Sequence, residues 1–127
     1  MNPEELKYHK EHSWVKIDGN RATIGITAYA QDSLGDIVYI DLPDIDSQVE
    51  ADGEIGEIES TKATSSVVSP ITGTVKKVNS ELEDTPETIN EDPYGKGWIV
   101  VVEMDNSSEL DGLMDAEEYG KFVEENK

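Results

Sequence analysis

The chain has 127 residues, enough for one domain of ordinary size that needs neither a disulfide nor a metal staple. Its formal net charge is −19, with 29 acidic residues against 10 basic ones, which argues against nucleic acid and against an anionic membrane surface as partners. It has no cysteine, so disulfides, thiolate metal sites and cysteine nucleophiles are excluded.

The N-terminus, Met1 to Lys7, is polar and lacks the apolar core of a signal peptide. No stretch of the chain is long and apolar enough to span a membrane as a helix, so a soluble, cytoplasmic protein is expected. The acidity then has two readings: plain solubility, or docking onto partners with basic entrances.

Short alternating segments follow. Val15 and Ile17 alternate with Trp14 and Lys16, and Ala22, Ile24 and Ile26 share a face. Thr27 is placed to cap a short helix through Tyr29, Ala30 and Leu34, with Gly35 as its stop. Residues 37 to 42 (IVYIDL) and 98 to 102 (WIVVV) are more continuously apolar, and the second is expected to be buried on both faces. Turn signals at Asp18-Gly19-Asn20, Pro43-Asp44, Asp52-Gly53, Ser69-Pro70, Thr72-Gly73 and Pro93-Tyr94-Gly95 separate the strands. Ser107 is placed to cap a turn carrying Leu110, Leu113 and Met114. Asp115 and Glu118 resemble a capping box that opens a terminal helix with Tyr119, Phe122 and Val123 on one face. The expectation is a mainly β fold, a flattened antiparallel barrel or sandwich with short helices and a C-terminal helix.

The segment with chemical content is Gly56 to Val75. Ile55 and Ile58 precede a polar run, Glu59 to Ser66, and Val67 and Val68 resume the apolar pattern. This predicts strand, exposed tip and strand, with Lys62 at the tip. Its amine would face solvent, and small Ala63 would leave room for an acylating enzyme. An ordinary solvated lysine in a polar turn has the same local pattern, so position alone assigns no function.

Glu59-Ser60-Thr61-Lys62-Ala63 resembles the E-S/T-x-K-A motif around a lipoyl lysine, and Gly73 stands eleven residues after the lysine, as that motif has it. A biotinyl carrier would flank its lysine with methionine; here Thr61 and Ala63 do so. From Tyr8 to Glu125 the chain is similar to the glycine cleavage H-protein family. The resemblance rests on His12-Ser13-Trp14-Val15, on residues 22 to 38, on Leu42-Pro43, on Ser69 to Gly73, on Asn79 and Leu82, and on Ile89 to Tyr94 with Gly97-Trp98.

The resemblance implies a single lipoyl-carrier domain over 1–127, with the lysine hairpin at about 54–75 and a helical tail at about 107–125. It implies lipoate as the cofactor, joined covalently to Lys62. The implied task is carriage of an aminomethyl group from the pyridoxal-phosphate glycine decarboxylase (P protein) to the tetrahydrofolate-dependent aminomethyltransferase (T protein). Dihydrolipoyl dehydrogenase (L protein) then reoxidises the arm, and lipoylating enzymes install it. The carrier is expected to be a monomer with no catalytic residue of its own. The alternative is a related lipoyl carrier that donates lipoyl groups or serves sulfur metabolism.

Two positions depart from the family pattern. Ser13 stands where many members have a carboxylate before the tryptophan, with Glu11 two residues earlier. Ser66 stands where many have aspartate. The resemblance places Glu11, Ser13 and Ser66 along the cleft that receives the loaded arm. A neutral hydroxyl there holds a positive amine less tightly than a carboxylate does. No spacing suggests a metal site or a nucleophile–base pair. His12 is expected to pack or hydrogen-bond beside Trp14, in a segment that looks extended. The pairs Asp44 with Asp46 and Glu117 with Glu118 are expected to be solvated surface.

Overall fold

The computed structural model describes residues 3–125. Met1 and Asn2, which begin the polar N-terminus, lie outside the described residues, as do Asn126 and Lys127. The strands are β1 (Lys7–Tyr8), β2 (Ser13–Asp18), β3 (Arg21–Ile26), β4 (Ile37–Asp41), β5 (Gln48–Val49), β6 (Glu54–Ser60), β7 (Thr64–Val68), β8 (Gly73–Val78) and β9 (Val100–Met104). Among the described residues they form a six-stranded sheet, in the order β1-β2-β3-β9-β8-β5, and a three-stranded sheet, β4-β6-β7. The pairings are antiparallel. The helices are α1 (Ala28–Leu34), α2 (Glu81–Asp84), α3 (Thr88–Glu91) and α4 (Ala116–Glu125), with a 3-10 helix at Ser107–Gly112. The chain is thus mainly β, two antiparallel sheets with short helices and a C-terminal helix.

The main core lies between the sheets. The large sheet contributes Val15, Ile24, Val75, Val100 and Val102, and the small one Ile37, Ile40, Ile55, Ile58 and Val67. Each fully buried aliphatic side chain stabilises by roughly 1.5–3 kcal/mol relative to exposure. A second cluster, Leu6, Tyr8, Trp14 and Tyr119, is flanked by Phe122 and Val123 of α4. The expected face of the terminal helix is therefore the one that docks. Its capping box forms: the Glu118 amide donates to Asp115 Oδ1 at 2.8 Å, and the Asp115 amide donates to Glu118 Oε1 at 3.1 Å. Thr27 caps α1 as expected, accepting from the Ala30 amide at 3.2 Å, and Gly35 closes the helix at φ 82°.

Several expectations need correction. The apolar run 98 to 102 starts two residues early. Trp98 and Ile99 lie between the turn at 93–97 and the strand, the Trp98 carbonyl accepting from Asn79 Nδ2 at 2.8 Å, and the strand runs on through Glu103 to Met104. Val100, Val102 and Met104 are buried while Val101 and Glu103 are only half-buried, so the strand is not fully buried on both faces. In the run 37 to 42 a register shift between Ile37 and Tyr39 turns Val38 and Tyr39 outward, 54% and 50% exposed. The 3-10 helix is capped by Asn106, one residue before Ser107, through a 3.0 Å bond from the Ser108 amide. The segment around His12 is not extended: the His12 amide bonds the His9 carbonyl at 2.9 Å, and His12 sits at φ 70°. Helices α2 and α3 had no sequence signal, because four residues show no helical period.

Candidate functional site

The hairpin β6–β7 carries the lysine. Its two strands pair from Glu54↔Val68 to Glu59↔Thr64, leaving Thr61, Lys62 and Ala63 as the connection. The turn is made by backbone and one hydroxyl. The Ser60 amide donates to the Ala63 carbonyl at 2.8 Å. Ser60 Oγ accepts from the Lys62 amide at 3.2 Å and the Ala63 amide at 3.0 Å, and donates to the Ala63 carbonyl at 3.1 Å. The serine hydroxyl thus gives two turn amides a fixed acceptor. Thr61, Lys62 and Ala63 are exposed, and Lys62 Nζ has no ion-pair partner among the described residues. The tip leaves the amine open to an incoming acyl group.

The hairpin tip rests on the loop that follows α1. The Thr61 amide donates to the Asp36 carbonyl at 3.0 Å. The Lys62 stem lies over Gly35, where a Cβ would stand 3.3 Å from Lys62 Cδ. Gly35 was legible as a helix stop; its second use, as the surface under the lysine, was not. Asn90, read only as part of the resemblance, also belongs here. Its Oδ1 accepts from the Ile37 amide at 2.9 Å, and its Nδ2 donates to Gln31 Oε1 at 2.9 Å and to the Gly35 carbonyl at 2.8 Å. No sequence pattern announces a contact that spans 53 to 59 residues.

The other expected site residues fall elsewhere. Glu59 is exposed and pairs across the sheet with Tyr39 and Thr64. Gly73 opens β8 in the other sheet, opposite Val49 and Met104. A Cβ at Gly73 would overlap the Glu103 carbonyl oxygen and Val102, so the position requires glycine for close backbone approach. Glu11 is exposed. Ser13 is fully buried, and its Oγ has no hydrogen-bond partner among the described residues. Ser66 is exposed and donates to Glu54 Oε2 at 2.9 Å. No hydrogen bond or ion pair among the described residues joins these three to Lys62.

The histidines point apart. His9 Nε2 bonds Asp52 Oδ1, while its Nδ1 accepts from the Glu11 amide at 3.0 Å. That hydrogen bond from His9 holds the Asp52 carboxyl below its ordinary range. His12 Nδ1 meets the Tyr119 hydroxyl at 2.7 Å, and the same hydroxyl meets Thr27 Oγ1 at 2.8 Å. His12 lies against Tyr29 and Phe122 as well, with ring centroids at 4.9 and 6.0 Å. Burial lowers the His12 pKa and pushes the Tyr119 hydroxyl up to about 12. One proton order satisfies every group: Ala30 N–H to Thr27, Thr27 O–H to Tyr119, and Tyr119 O–H to neutral His12. Among the described residues no cluster of three or more metal-ligating side chains forms. A cleft of about 490 Å³, lined by Tyr8, His9, Lys10, Asp52, Glu109 and Phe122 among others, does not include Lys62. It lies at the Asp52 end of β6, away from the tip.

Fold and site together define a class: a two-sheet β domain that presents one lysine at a tight hairpin tip. The glycine cleavage H-protein model matches residues 6–126. The chain is 50% identical over 123 residues to the glycine cleavage system H protein of Carboxydothermus hydrogenoformans, covering 97% of this chain and 95% of that one. It is 50% identical over 123 residues to the H protein of Staphylococcus saprophyticus, covering 97% and 98%. It also superposes on the crystal structure of a glycine cleavage system H protein from Mycobacterium marinum, with a TM-score of 0.84, 32% identity and 98% of each chain covered. The chain belongs to the glycine cleavage H-protein family.

Proposed function

We propose that this chain is a lipoyl carrier of glycine cleavage and that Lys62 is its attachment site. The observation that carries the reading is the placement of Lys62, exposed at the tip of a two-strand hairpin inside the Glu59-Ser60-Thr61-Lys62-Ala63 motif. The residues present fit a covalent acyl group. The amine is open, Ala63 adds no bulk, and Gly35 leaves the lysine stem a flat seat. Lipoate in amide linkage to Lys62 supplies a disulfide that accepts the aminomethyl group derived from glycine. The chain contributes position and tether: a fixed tip raises the local concentration of whatever it carries at each docked partner.

The proposed cycle uses the P protein as donor, the T protein as acceptor and the L protein as oxidant, with the chain itself as a non-catalytic, monomeric component. Carboxylates near the tip, among them Asp36 and Glu59, suit partners with basic entrances. Glu11 and Ser66, both exposed, are proposed to border the path of the loaded arm, whereas the full burial of Ser13 removes it from that path. Ser66→Asp then slows spontaneous loss of the loaded group, and an unchanged rate would refute that assignment.

The test of the function is reconstitution. Lipoylated chain mixed with the three partner enzymes, glycine, tetrahydrofolate and NAD should sustain glycine-dependent NADH formation. The unlipoylated chain and Lys62→Arg should not. Turnover by the partners without this chain, or equal turnover with Lys62→Arg, would contradict it.

A further inference from the structure

We propose that Asn90 is a positioning residue for acylation of Lys62, acting through the loop Gly35-Asp36-Ile37 on which the hairpin tip rests. This inference depends on the reading of Lys62 as the acylated lysine. The placement of three hydrogen bonds carries it. Asn90 holds the Gly35 carbonyl on one side and the Ile37 amide on the other, at 2.8 and 2.9 Å. The Asp36 carbonyl between them receives the Thr61 amide at 3.0 Å, one residue before the lysine. A single side chain therefore brackets the one backbone acceptor outside the hairpin that the tip uses among the described bonds.

The remaining Asn90 donor goes to Gln31 Oε1 at 2.9 Å, and Gln31 Nε2 donates to the Ala28 carbonyl at 3.0 Å, so the amide is oriented from both ends. Asn90 sits on α3, a single turn, whose buried Ile89 anchors it in the main core. The chain of contacts thus runs from core to α3, to the loop, and to the tip. Beyond the last β4–β6 pair, Ile37↔Ser60, the Asp36 carbonyl is the hold on the tip from outside the hairpin among the described bonds, and without it the tip keeps only its internal turn, which frays readily. An acylating enzyme must find the lysine amine in one place, and a loose tip lowers the fraction of chains presenting it there.

The decisive substitution is Asn90→Asp. It keeps shape and the acceptor for the Ile37 amide but replaces the Nδ2 that donates two bonds by a carboxylate oxygen facing the Gly35 carbonyl and Gln31 Oε1. Gly35→Ala disturbs the same seat from the other side, because its Cβ at φ 82° would press on Lys62 Cδ. Two readouts separate positioning from loss of stability: kcat and KM for lipoylation of the folded chain by a purified lipoate ligase, and amide exchange at Thr61 compared with Ile99. Ile99 is fully buried and bonds the Ile24 carbonyl at 2.8 Å, so it reports global opening.

The expected result is a fall in kcat/KM of about tenfold for Asn90→Asp, with Thr61 exchange faster by a similar factor and Ile99 unchanged. Combining Asn90→Asp with Gly35→Ala should cost less than the product of the two single effects, because both act on one seat. Acylation within twofold of wild type, or Thr61 and Ile99 accelerating together, overturns the proposal while leaving the function reading intact. A wild-type chain that takes no lipoyl group at Lys62 overturns the function reading first and this proposal with it.

Discussion

The lysine hairpin is held in different ways at its two ends. At its base, Asp52 is bonded by buried His9, and the Asp52 and Ser69 amides are exchanged against the Ser69 and Gly53 carbonyls at 2.8 Å. Just beyond, Glu109 accepts from both the amide and the hydroxyl of Thr72, at 2.7 and 2.8 Å. Ser69, Pro70, Ile71 and Gly73 are buried there. At the tip no residue of the turn is buried; Ser60, one carbonyl of a neighbouring loop and the amide of Asn90 do the holding. The base is redundant and the tip is economical. A presented lysine requires this asymmetry: burial fixes a strand but would hide the amine, so the tip is held by directional hydrogen bonds, which fix geometry without covering it.

The contrast breaks most visibly at the base. Gly73→Ala forces a Cβ onto the Glu103 carbonyl and should cost about 3 kcal/mol or more, read as a large drop in melting temperature. Ready tolerance of alanine there would mean the base is not tightly packed. A smaller effect is expected between the ends. Tyr119→Phe removes the hydroxyl shared by His12 and Thr27 and so weakens the cap of α1, whose far end is Gly35. The expected cost is about 1–2 kcal/mol in denaturant unfolding. No change would remove Tyr119 from the support of the tip.

At the tip itself the effect on global stability should be least. Ser60→Ala removes the acceptor for two turn amides, and a loss of about 0.5–1 kcal/mol is expected, with faster exchange confined to residues 60 to 64. Exchange that spreads into β9 would make the tip part of the cooperative core. A finer test concerns pH. The folded His12 pKa lies below its ordinary value, so the unfolded chain binds a proton first as pH falls through about 6.5. Stability attributable to neutral His12 is present above that range and declines as pH falls towards the depressed folded value. His12→Asn, which suits φ 70°, should flatten this part of the stability–pH curve. An identical slope in both proteins would show that His12 titrates alike in the folded and unfolded chain, contrary to the lowered folded pKa.

Much of this architecture was readable from pattern. The alternation of Ala22, Ile24 and Ile26, the Thr27 cap with its Gly35 stop, the Asp115–Glu118 box and the strand–tip–strand reading around Lys62 are local signals, and each corresponds to an element in place. What escaped was set by distance in sequence or by short length. The bulge that turns Val38 and Tyr39 outward depends on pairing with β6. Helices α2 and α3 are too short for a period, and the cap of the 3-10 helix moved one residue because Asn106 competes with Ser107 for the same role. The candidate site was legible as one exposed lysine at a hairpin tip, while the contacts that support the tip were not. The Asp36 carbonyl meets the tip, and Asn90 meets the loop that carries it across 53 to 59 residues, only once the chain has folded. The burial of Ser13, with an unanswered hydroxyl, was likewise invisible in a sequence that shows only a small polar residue before Trp14.

The central claim is that Lys62 is the acylated residue, and intact-mass spectrometry with peptide mapping tests it most directly. Chain produced with lipoate and a lipoate ligase should gain one lipoyl mass, all of it on the peptide containing Lys62, and Lys62→Arg should gain none. A lipoyl mass retained by Lys62→Arg, or mapped to any other lysine of the wild type, would contradict the claim.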